Sequence, residues 1–409
     1  MARATIPRDC EVAHPQAQTI KTWSDATGLV LANSGTAAVT SIDAQSPFGA
    51  SRLRVDAPVG NTYFEVGFAP SIAKFQGAVA FRIWFSDWRA CLQLQLFAGT
   101  AGYANLMQKT FNVQNSNLNN RNGPITIFLN PEDTSTNTFV QGSDTLAAVK
   151  FRAFTRSGYA NTMWVESFYV PNRMRPKLLL TFDDAYVRWI DLLLPELASR
   201  GLKATFGVNT GDVGTNHALF IDVPDLLAIQ TAGHEVYAHN ITNTAYGTQT
   251  AAQYAADYAT ALAQLRAWGI RTTGDYHPFV QGAHDQELIT ALAGKGVRMM
   301  RGVDSNKLNG GAAGVRDNLS SLKIVSHSAT GGANLATQKS KLDQAIQYGM
   351  TYVAMLHEPV TSGATGIQYL VSDLNAFLDY AVLKQRQGLL DIVTPTQWLR
   401  QLNVGREFG

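Results

Sequence analysis

The sequence predicts a protein of two domains, an N-terminal antiparallel β-sandwich followed by an α/β domain. Over the first 170 or so residues, short segments alternate apolar and polar side chains, which is the period-two pattern of sheets with one buried face. Beyond residue 176, apolar strands alternate with helical segments, as in parallel sheets and barrels. A chain of 409 residues also exceeds what one hydrophobic core normally supports. We therefore divide the chain into residues 1–171 and 176–409.

The strands of the first domain are predicted from alternation and from the turn residues between them. Residues 79–85 and 92–96 alternate apolar and polar side chains, and residues 125–129 and 163–170 extend the set. Clusters of Gly, Asn, Ser and Pro separate these segments, and a stiff Pro-containing linker follows at 171–176. The organisation resembles the sandwich modules that bind carbohydrate in glycan-active enzymes. A structural or assembly role for this domain is an equal alternative.

The second domain begins with an apolar strand at residues 177–182. A helical segment at 187–200 ends at Gly201, which suits a helix C-terminus, and a second apolar strand follows at 202–209. A further helix near 224–231 leads to a third strand that ends at His239. Because sites in parallel α/β folds form at the carboxyl ends of strands, residues at these ends are the first candidates for function.

Two adjacent carboxylates, Asp183 and Asp184, follow the first of these strands. Burying two carboxylates side by side is costly unless a metal ion neutralises one and leaves the other as a base. The alternative is that the pair begins a turn and caps the next helix. Since His239 stands at another predicted strand end, the convergence of these three side chains favours a metal site.

Four ordered segments then carry a family resemblance. They are Thr181-Phe182-Asp183-Asp184, Gly233-His234-Glu235 with His239, Tyr276-His277-Pro278-Phe279, and Met355-Leu356-His357. Together they resemble the motifs of the polysaccharide deacetylases, the carbohydrate esterase family 4 enzymes that share the NodB homology domain. The resemblance covers about residues 175–402 and implies a distorted (β/α) barrel.

The resemblance implies roles for individual residues. Asp183 corresponds to the catalytic base and His357 to the general acid. The metal ligands are implied to be Asp184, His239 and Asn243, and the family's usual metal is Zn²⁺. The third motif implies that the Phe279 N–H binds the oxyanion, with Tyr276 and His277 as further candidates for contact with the oxyanion or the substrate.

Three positions depart from the family pattern. Asn243 stands where a second metal-binding His is usual, and an amide oxygen is a weaker ligand for zinc than imidazole. Tyr276 stands where an Arg normally pairs with the base, so the pKa of Asp183 is expected to depend on the metal and on local hydrogen bonds. The Asp that orients the acid is not evident, and Asp304 is a candidate by position. His277 has a simple loop histidine as its alternative, and His234 is predicted to be a buried packing residue.

Composition excludes some classes of function. A formal charge of +2 argues against a function driven by binding nucleic acid, and no stretch is long enough to insert in a membrane. Cys10 and Cys91 are the only cysteines and are predicted to stay reduced. Residues 1–8 lack the apolar core of a secretory signal, although the family acts on extracellular glycans. A bacteriophage tail protein and a chain whose signal was removed are both compatible with this.

The predicted function is therefore metal-dependent removal of O- or N-linked acetyl groups from a microbial surface polysaccharide. The alternative is a glycan-binding or structural attachment protein with a decayed centre, which Asn243 and the missing Arg would explain. The presence of both a base, Asp183, and an acid, His357, favours the enzyme. The oligomeric state stays open, with a homo-oligomer as one alternative.

Overall fold

The computed structural model describes residues 18–47, 50–113, 125–129, 131, 134–170, 175–272, 274–303 and 335–404. The chain forms two compact units that divide near residue 173. The first contains antiparallel sheets, and the second contains a parallel sheet with helices. Within these described ranges, no helix is long and apolar enough to cross a membrane.

Twelve described strands make up the first unit. They are β1 (Gln18–Thr22), β2 (Val30–Gly35), β3 (Val39–Asp43), β4 (Arg52–Ala57), β5 (Asn61–Phe68), β6 (Val79–Phe85), β7 (Cys91–Gly99), β8 (Leu106–Asn112), β9 (Ile125–Leu129), β10 (Thr136–Asn137), β11 (Ala148–Thr155) and β12 (Asn161–Val170). One sheet has the order β3-β4-β12-β6-β9, with β1 also paired to β12, and the other has the order β10-β8-β7-β11-β5-β2. All these pairings are antiparallel, so the strand-rich character predicted for this region is confirmed.

The two sheets contribute side chains to one hydrophobic core. Alternation explains this, because in β4 and β11 every second residue is buried. Phe81 and Phe168 of the first sheet and Phe151 of the second lie in the same cluster and are fully buried. The thiol of Cys91 lies there too, and burial raises its pKa to about 12, so little of it is thiolate at neutral pH.

The second unit contains nine described strands and seven described α-helices. The strands are β13 (Lys177–Asp183), β14 (Thr205–Asn209), β15 (Glu235–Asn240), β16 (Tyr276–Pro278), β17 (Met299–Arg301), β18 (Thr351–Leu356), β19 (Pro359–Val360), β20 (Tyr369–Leu370) and β21 (Asp391–Ile392). The helices are α1 (Leu194–Ser199), α2 (Val223–Thr231), α3 (Ala251–Ala267), α4 (Gln286–Ala293), α5 (Leu335–Tyr348), α6 (Val371–Arg386) and α7 (Pro395–Val404).

A parallel sheet in the order β15-β14-β13-β18 forms the centre of this unit. Every residue of β13, β14 and β18 is buried, which is why these strands read as continuous apolar runs rather than alternating ones. The strand pair β16–β17 forms a separate parallel ladder, and β21 pairs with β13. The α/β character of the second domain therefore agrees with the prediction, whereas closure into a barrel stays a prediction.

The first helix differs from its prediction. Residues 187–200 were expected to form one helix, but Trp189–Leu193 forms a π-helical turn and α1 starts only at Leu194. A π-helical turn widens the backbone locally. Trp189 at its start is fully buried, and its indole Nε1 donates to the carbonyl of His357 at 2.7 Å. The irregular turn thus packs against the end of β18.

His234 is a buried packing residue, as predicted. It is 6% exposed, its ring meets that of Phe206 edge-on, and its Nδ1 accepts the backbone N–H of Ala204 at 3.1 Å. Burial, with a smaller contribution from Lys203, lowers the pKa of His234 to about 4. The imidazole therefore stays neutral in the folded protein at pH values where the unfolded chain binds a proton.

Because of this shift, we expect the free energy of unfolding to depend on pH at values above those at which carboxylates usually titrate. Between pH 6.5 and about 4 the unfolded state binds the extra proton, so the free energy of unfolding should fall as pH falls, by at most about 3 kcal/mol. Denaturant melts of the wild type and of His234→Gln across this range measure it. The variant should show a shallower dependence on pH, and equal slopes would contradict the assignment.

Candidate active site

Polar side chains converge where the central parallel strands end. Asp183 pairs in register with Gly207 of β14, and Phe182 pairs with Leu356 of β18, so the ends of these strands are level. This edge holds the residues that the structure brings together: Asp183, Asp184, Asn209, His239 and His357. The sequence-based expectation that sites form at strand ends therefore locates the cluster correctly.

Asp183 is a buried carboxylate with one paired and one free oxygen. It is 2% exposed, and its Oδ2 forms an ion pair with the Arg301 guanidinium. Its Oδ1 is buried and accepts no hydrogen bond from the described part of the chain. Burial on its own would raise the pKa of Asp183, but the charges of Arg301 and then His239 outweigh it, so the pKa lies below its usual value. Asp183 is therefore ionised at neutral pH.

Arg301 is the functional residue that the sequence reasoning missed. It ends β17, is fully buried, and its Nε donates to the hydroxyl of Tyr276 at 3.2 Å. The parallel register of β16 and β17 sets Pro278 opposite Arg301 and so brings the guanidinium close to Tyr276. The expectation that no arginine pairs with Asp183 is thus wrong. A cation that ends the apolar run Met299-Met300 was the only signal in the sequence.

The same contacts correct the predicted role of Tyr276. This residue is 1% exposed, and its hydroxyl accepts from Arg301. Burial raises the pKa of Tyr276 to about 12, so it stays a neutral phenol. Its hydroxyl therefore helps to hold the Arg301 guanidinium in place, and its buried side chain is not available for contact with substrate.

Asp184 occupies a left-handed turn that directs its side chain into the cluster. Its φ is 79°, and that of the following Ala185 is 58°, in a region that non-glycine residues rarely adopt. The Asp184 N–H donates to the carbonyl of Gly207 at 3.0 Å, which holds the turn against β14. Its Oδ1 accepts from Nδ2 of Asn209 at 3.1 Å. Backbone strain of this kind concentrates at functional sites.

Two imidazoles face the two oxygens of Asp184. His239 Nε2 lies 3.6 Å from Oδ1, and His357 Nε2 lies 3.7 Å from Oδ2. The Nδ1 of His239 lies 2.9 Å from the Pro278 carbonyl, so Nδ1 carries the proton and Nε2 presents a lone pair to the cluster. The His357 side chain is 14% exposed against 4% for His239, which places His357 nearer to solvent.

Asn243 is not where a metal ligand was predicted. It is exposed on the loop after β15, where its backbone carbonyl accepts from Gln281 at 3.3 Å. Across the described ranges, no group of three or more His, Cys, Asp or Glu side chains is arranged to hold a metal ion. Of the predicted triad, the structure brings Asp184 and His239 together, whereas Asn243 as the third ligand stays a prediction.

The remaining pair still fits a metal ion. Two ligands that each lie about 2.1 Å from a tetrahedral metal are separated by about 3.4 Å. The distance of 3.6 Å between Asp184 Oδ1 and His239 Nε2 matches this separation. Two fully buried oxygens without hydrogen-bond donors among the described residues, on Asp183 and Asn209, lie beside the pair. Such oxygens suit an environment completed by a cation or by water.

Two further predictions about the third motif are contradicted. The Phe279 N–H donates to the Arg301 carbonyl at 2.8 Å, so it is engaged within the fold and is not free to bind an oxyanion. His277 is fully buried, with Nδ1 3.1 Å from the Ala238 carbonyl and Nε2 3.2 Å from the Tyr254 hydroxyl. Burial lowers the pKa of His277 to about 3, so it is a neutral structural residue rather than a substrate contact. Asp304 lies outside the described residues.

Gly207 makes room for the Asp183 carboxylate. A Cβ at this position would lie 2.8 Å from Asp183 Oδ1 and 3.1 Å from a Pro278 side-chain carbon. Because Arg301 holds the other oxygen, the carboxylate cannot move freely. Gly207→Ala should therefore displace the Asp183 carboxylate, and the turnover number of a reaction that uses this carboxylate should fall about 100-fold, the effect of an ångström-scale misplacement. Steady-state kinetics check this, with Gly294→Ala on the end of α4 as control; unchanged turnover in Gly207→Ala would contradict it.

Comparison with known proteins gives one family match. The family model described as Polysaccharide deacetylase matches residues 171–300. This range includes Asp183, Asp184 and His239 and ends directly before Arg301. No curated protein sequence matches this chain.

Solved structures that resemble this chain include carbohydrate esterases. One is the Xyl-CE4 domain of a multidomain xylanase from the hindgut metagenome of Trinervitermes trinervoides, at 14% identity and a TM-score of 0.38, covering 56% of this chain and 91% of that one. Another is a family 4 acetyl xylan esterase from Clostridium thermocellum with a cobalt ion, at 14% identity and a TM-score of 0.38, covering 55% and 91%. A CE4 family pseudoenzyme from Bacillus anthracis is 13% identical, with a TM-score of 0.40, covering 56% and 66%.

Proposed function

We propose, from the match of residues 171–300 to the polysaccharide deacetylase family model, that this protein hydrolyses O- or N-linked acetyl groups of a microbial surface polysaccharide. The observation that carries the proposal is the buried ion pair between Asp183 and Arg301. Keeping an ionised carboxylate fully buried is costly, and such groups cluster at functional sites. A hydrolase needs such a group as a base.

Asp183 is suited to remove a proton from water. The bond to Arg301 fixes Oδ2, while Oδ1 accepts no hydrogen bond from the described residues. A general base must be ionised and must have a free lone pair within reach of the proton it takes. In the proposed reaction the Oδ1 atom accepts a water proton while the water oxygen bonds to the acetyl carbon.

His357 is suited to return a proton to the departing sugar oxygen or nitrogen. Burial lowers the pKa of His357, although Asp183 and Asp184 oppose this effect. It must therefore take up a proton before it can act as the acid. Its partial exposure allows that proton to come from solvent. The C–O or C–N bond to the acetyl group then breaks as His357 protonates the leaving atom, which yields acetate and the free hydroxyl or amine.

A divalent metal would be held by Asp184 and His239. When bound, such an ion lowers the pKa of coordinated water and polarises a carbonyl. Zn²⁺ is the ion expected for the family, and the carboxylate–imidazole pair is compatible with it. The strained turn at Asp184 and the Pro278 carbonyl behind His239 orient these two side chains before any ligand binds.

A second candidate function has its own observation. Asn243 is exposed, and three acidic or imidazole ligands do not come together in the described part of the chain. These facts favour a glycan-binding protein whose centre no longer catalyses a reaction. The intact base and its arginine weigh against this candidate, because neither is needed for binding alone.

Acetate release separates the two candidates. The wild type should release acetate from an acetylated polysaccharide panel and from an aryl acetate, and a chelator should abolish release until Zn²⁺ is restored. Polysaccharide retention measured in the same samples reports binding without turnover. Retention with no release from any substrate, with Zn²⁺ present, would favour the glycan-binding candidate and end the proposal of a deacetylase.

A further inference from the structure

Asp184 and His239 are the two side chains that the structure places at a distance suited to a shared metal, while Asn243 is exposed on its loop. Structural and catalytic zinc sites normally use at least three protein ligands. Geometry restricts a third donor to side chains that lie beside Asp184 and His239. Within the described residues, acidic and imidazole groups do not complete a set of three. Amide oxygens are the remaining strong candidates.

Asn209 supplies a buried amide at this place. It ends β14, is 0% exposed, and its Nδ2 donates to Asp184 Oδ1 at 3.1 Å. Its Oδ1 is buried and, in the part of the chain that the structure describes, accepts no hydrogen bond. Buried carbonyl oxygens are nearly always satisfied, and an exception points to a water or an ion that completes them. The carbonyl belongs to the same small amide group that touches Asp184, so it cannot be far from the pair of ligands.

We propose that Asn209 Oδ1, and not Asn243, is the third protein ligand of a divalent metal held by Asp184 and His239. The proposal rests on the metal dependence proposed above. Rotation of the amide exchanges the positions of its oxygen and nitrogen, so Oδ1 can replace Nδ2 beside Asp184 when a cation binds. Two oxygens and one imidazole form a harder ligand set than an aspartate with two histidines. The site should therefore discriminate less strongly for Zn²⁺ over Mn²⁺.

Asp212 is the main rival ligand. It lies in the turn after β14, close enough to Asp184 and Asn209 to interact with both. It is only half-buried, however, and it does not form a set of three with Asp184 and His239. Asp212→Asn therefore belongs in the test as the variant that reports on this rival.

Metal affinity of the full chain tests the proposal without any assay of turnover. The metal-free protein is titrated with Zn²⁺ and, separately, with Mn²⁺ by calorimetry, with circular dichroism and thermal unfolding of each metal-free variant as a check of folding. Asn209→Ala should weaken Zn²⁺ binding by at least the roughly 10- to 100-fold that the loss of a partner behind a metal ligand costs. Asn243→Ala, the same substitution at the exposed asparagine, should leave the dissociation constant unchanged.

Asn209→Asp distinguishes a ligand from a residue that only orients Asp184. If Oδ1 binds the metal, the isosteric carboxylate should bind Zn²⁺ at least as tightly as the wild type. If Asn209 acts only by donating to Asp184, Asn209→Asp loses that donor, Zn²⁺ binding should fall as it does in Asn209→Ala, and the proposal is overturned. The proposal also fails if Asn243→Ala or Asp212→Asn, rather than Asn209→Ala, weakens binding. A wild type that binds neither metal overturns this proposal together with the metal dependence, whereas metal binding unaffected by Asn209 variants overturns this proposal alone.

Discussion

Replacing Arg301 by methionine is expected to lower the free energy of unfolding of the second unit by about 3–5 kcal/mol. The guanidinium is fully buried against Asp183, and removing one partner of a buried ion pair leaves the other charge without compensation. Denaturant melts of the wild type and of Arg301→Met measure the loss. Arg175→Met serves as the matched control, because Arg175 pairs with Asp391 while its side chain is half exposed, and such pairs contribute about 0–1 kcal/mol.

The double variant Arg301→Met with Asp183→Asn tests the cause of that loss. With both charges removed, no unpaired ion stays buried, so much of the stability should return. A double variant that is less stable than either single variant would contradict the ion-pair explanation and point to packing around Arg301 instead.

Arg301→Met also has an expected dependence of activity on pH. Without the guanidinium, only the charges of His239 and His357 oppose the effect of burial, so the pKa of Asp183 should be higher than in the wild type. Acetate release should then be low at neutral pH and rise as the pH is increased. The wild type differs, because its lowered pKa keeps Asp183 ionised at neutral pH. The contribution of the ionised carboxylate to the stability of the fold is lost only as the pH falls below about 3.8, through the lower pKa of the folded state.

Asp183→Asn is expected to lower the rate of acetate release by about 10²–10⁴-fold, the usual contribution of a general base. The asparagine keeps the shape of the side chain but cannot accept the water proton. Rate constants for an aryl acetate and for an acetylated polysaccharide provide the measurement. Metal content should be measured in the same samples, because Asp183 adjoins Asp184.

Loss of activity in Asp183→Asn has to be separated from loss of folding, since the substitution leaves Arg301 buried without its partner. The double variant provides this separation. If it is folded and stays inactive even at the higher pH at which Arg301→Met releases acetate, the carboxylate itself is required for the reaction. A folded Asp183→Asn protein that retains wild-type rates would show that Asp183 is not the base.

Much of the fold and of the centre could be predicted from local patterns. The apolar run that ends at Asp183 and Asp184 determines a buried strand followed by two carboxylates. Period-two alternation determines antiparallel strands before residue 171. His239 was likewise assigned to a strand end and His357 to the last motif, and the structure brings both to Asp184. These predictions succeed because each depends on a few neighbouring residues and on the general geometry of parallel sheets.

Other features depend on contacts between residues far apart in the chain, so only the tertiary structure could decide them. Arg301 reaches Asp183 across 118 positions because β17 lies beside β16, and no local pattern encodes that pairing. The exposure of Asn243 and the burial of Asn209 follow from the turn after β15 and the end of β14. The sequence by itself determined which chemical groups stand at strand ends; the packing of strands against one another decided which of them meet, because ion pairs and ligand sets form through space rather than along the chain.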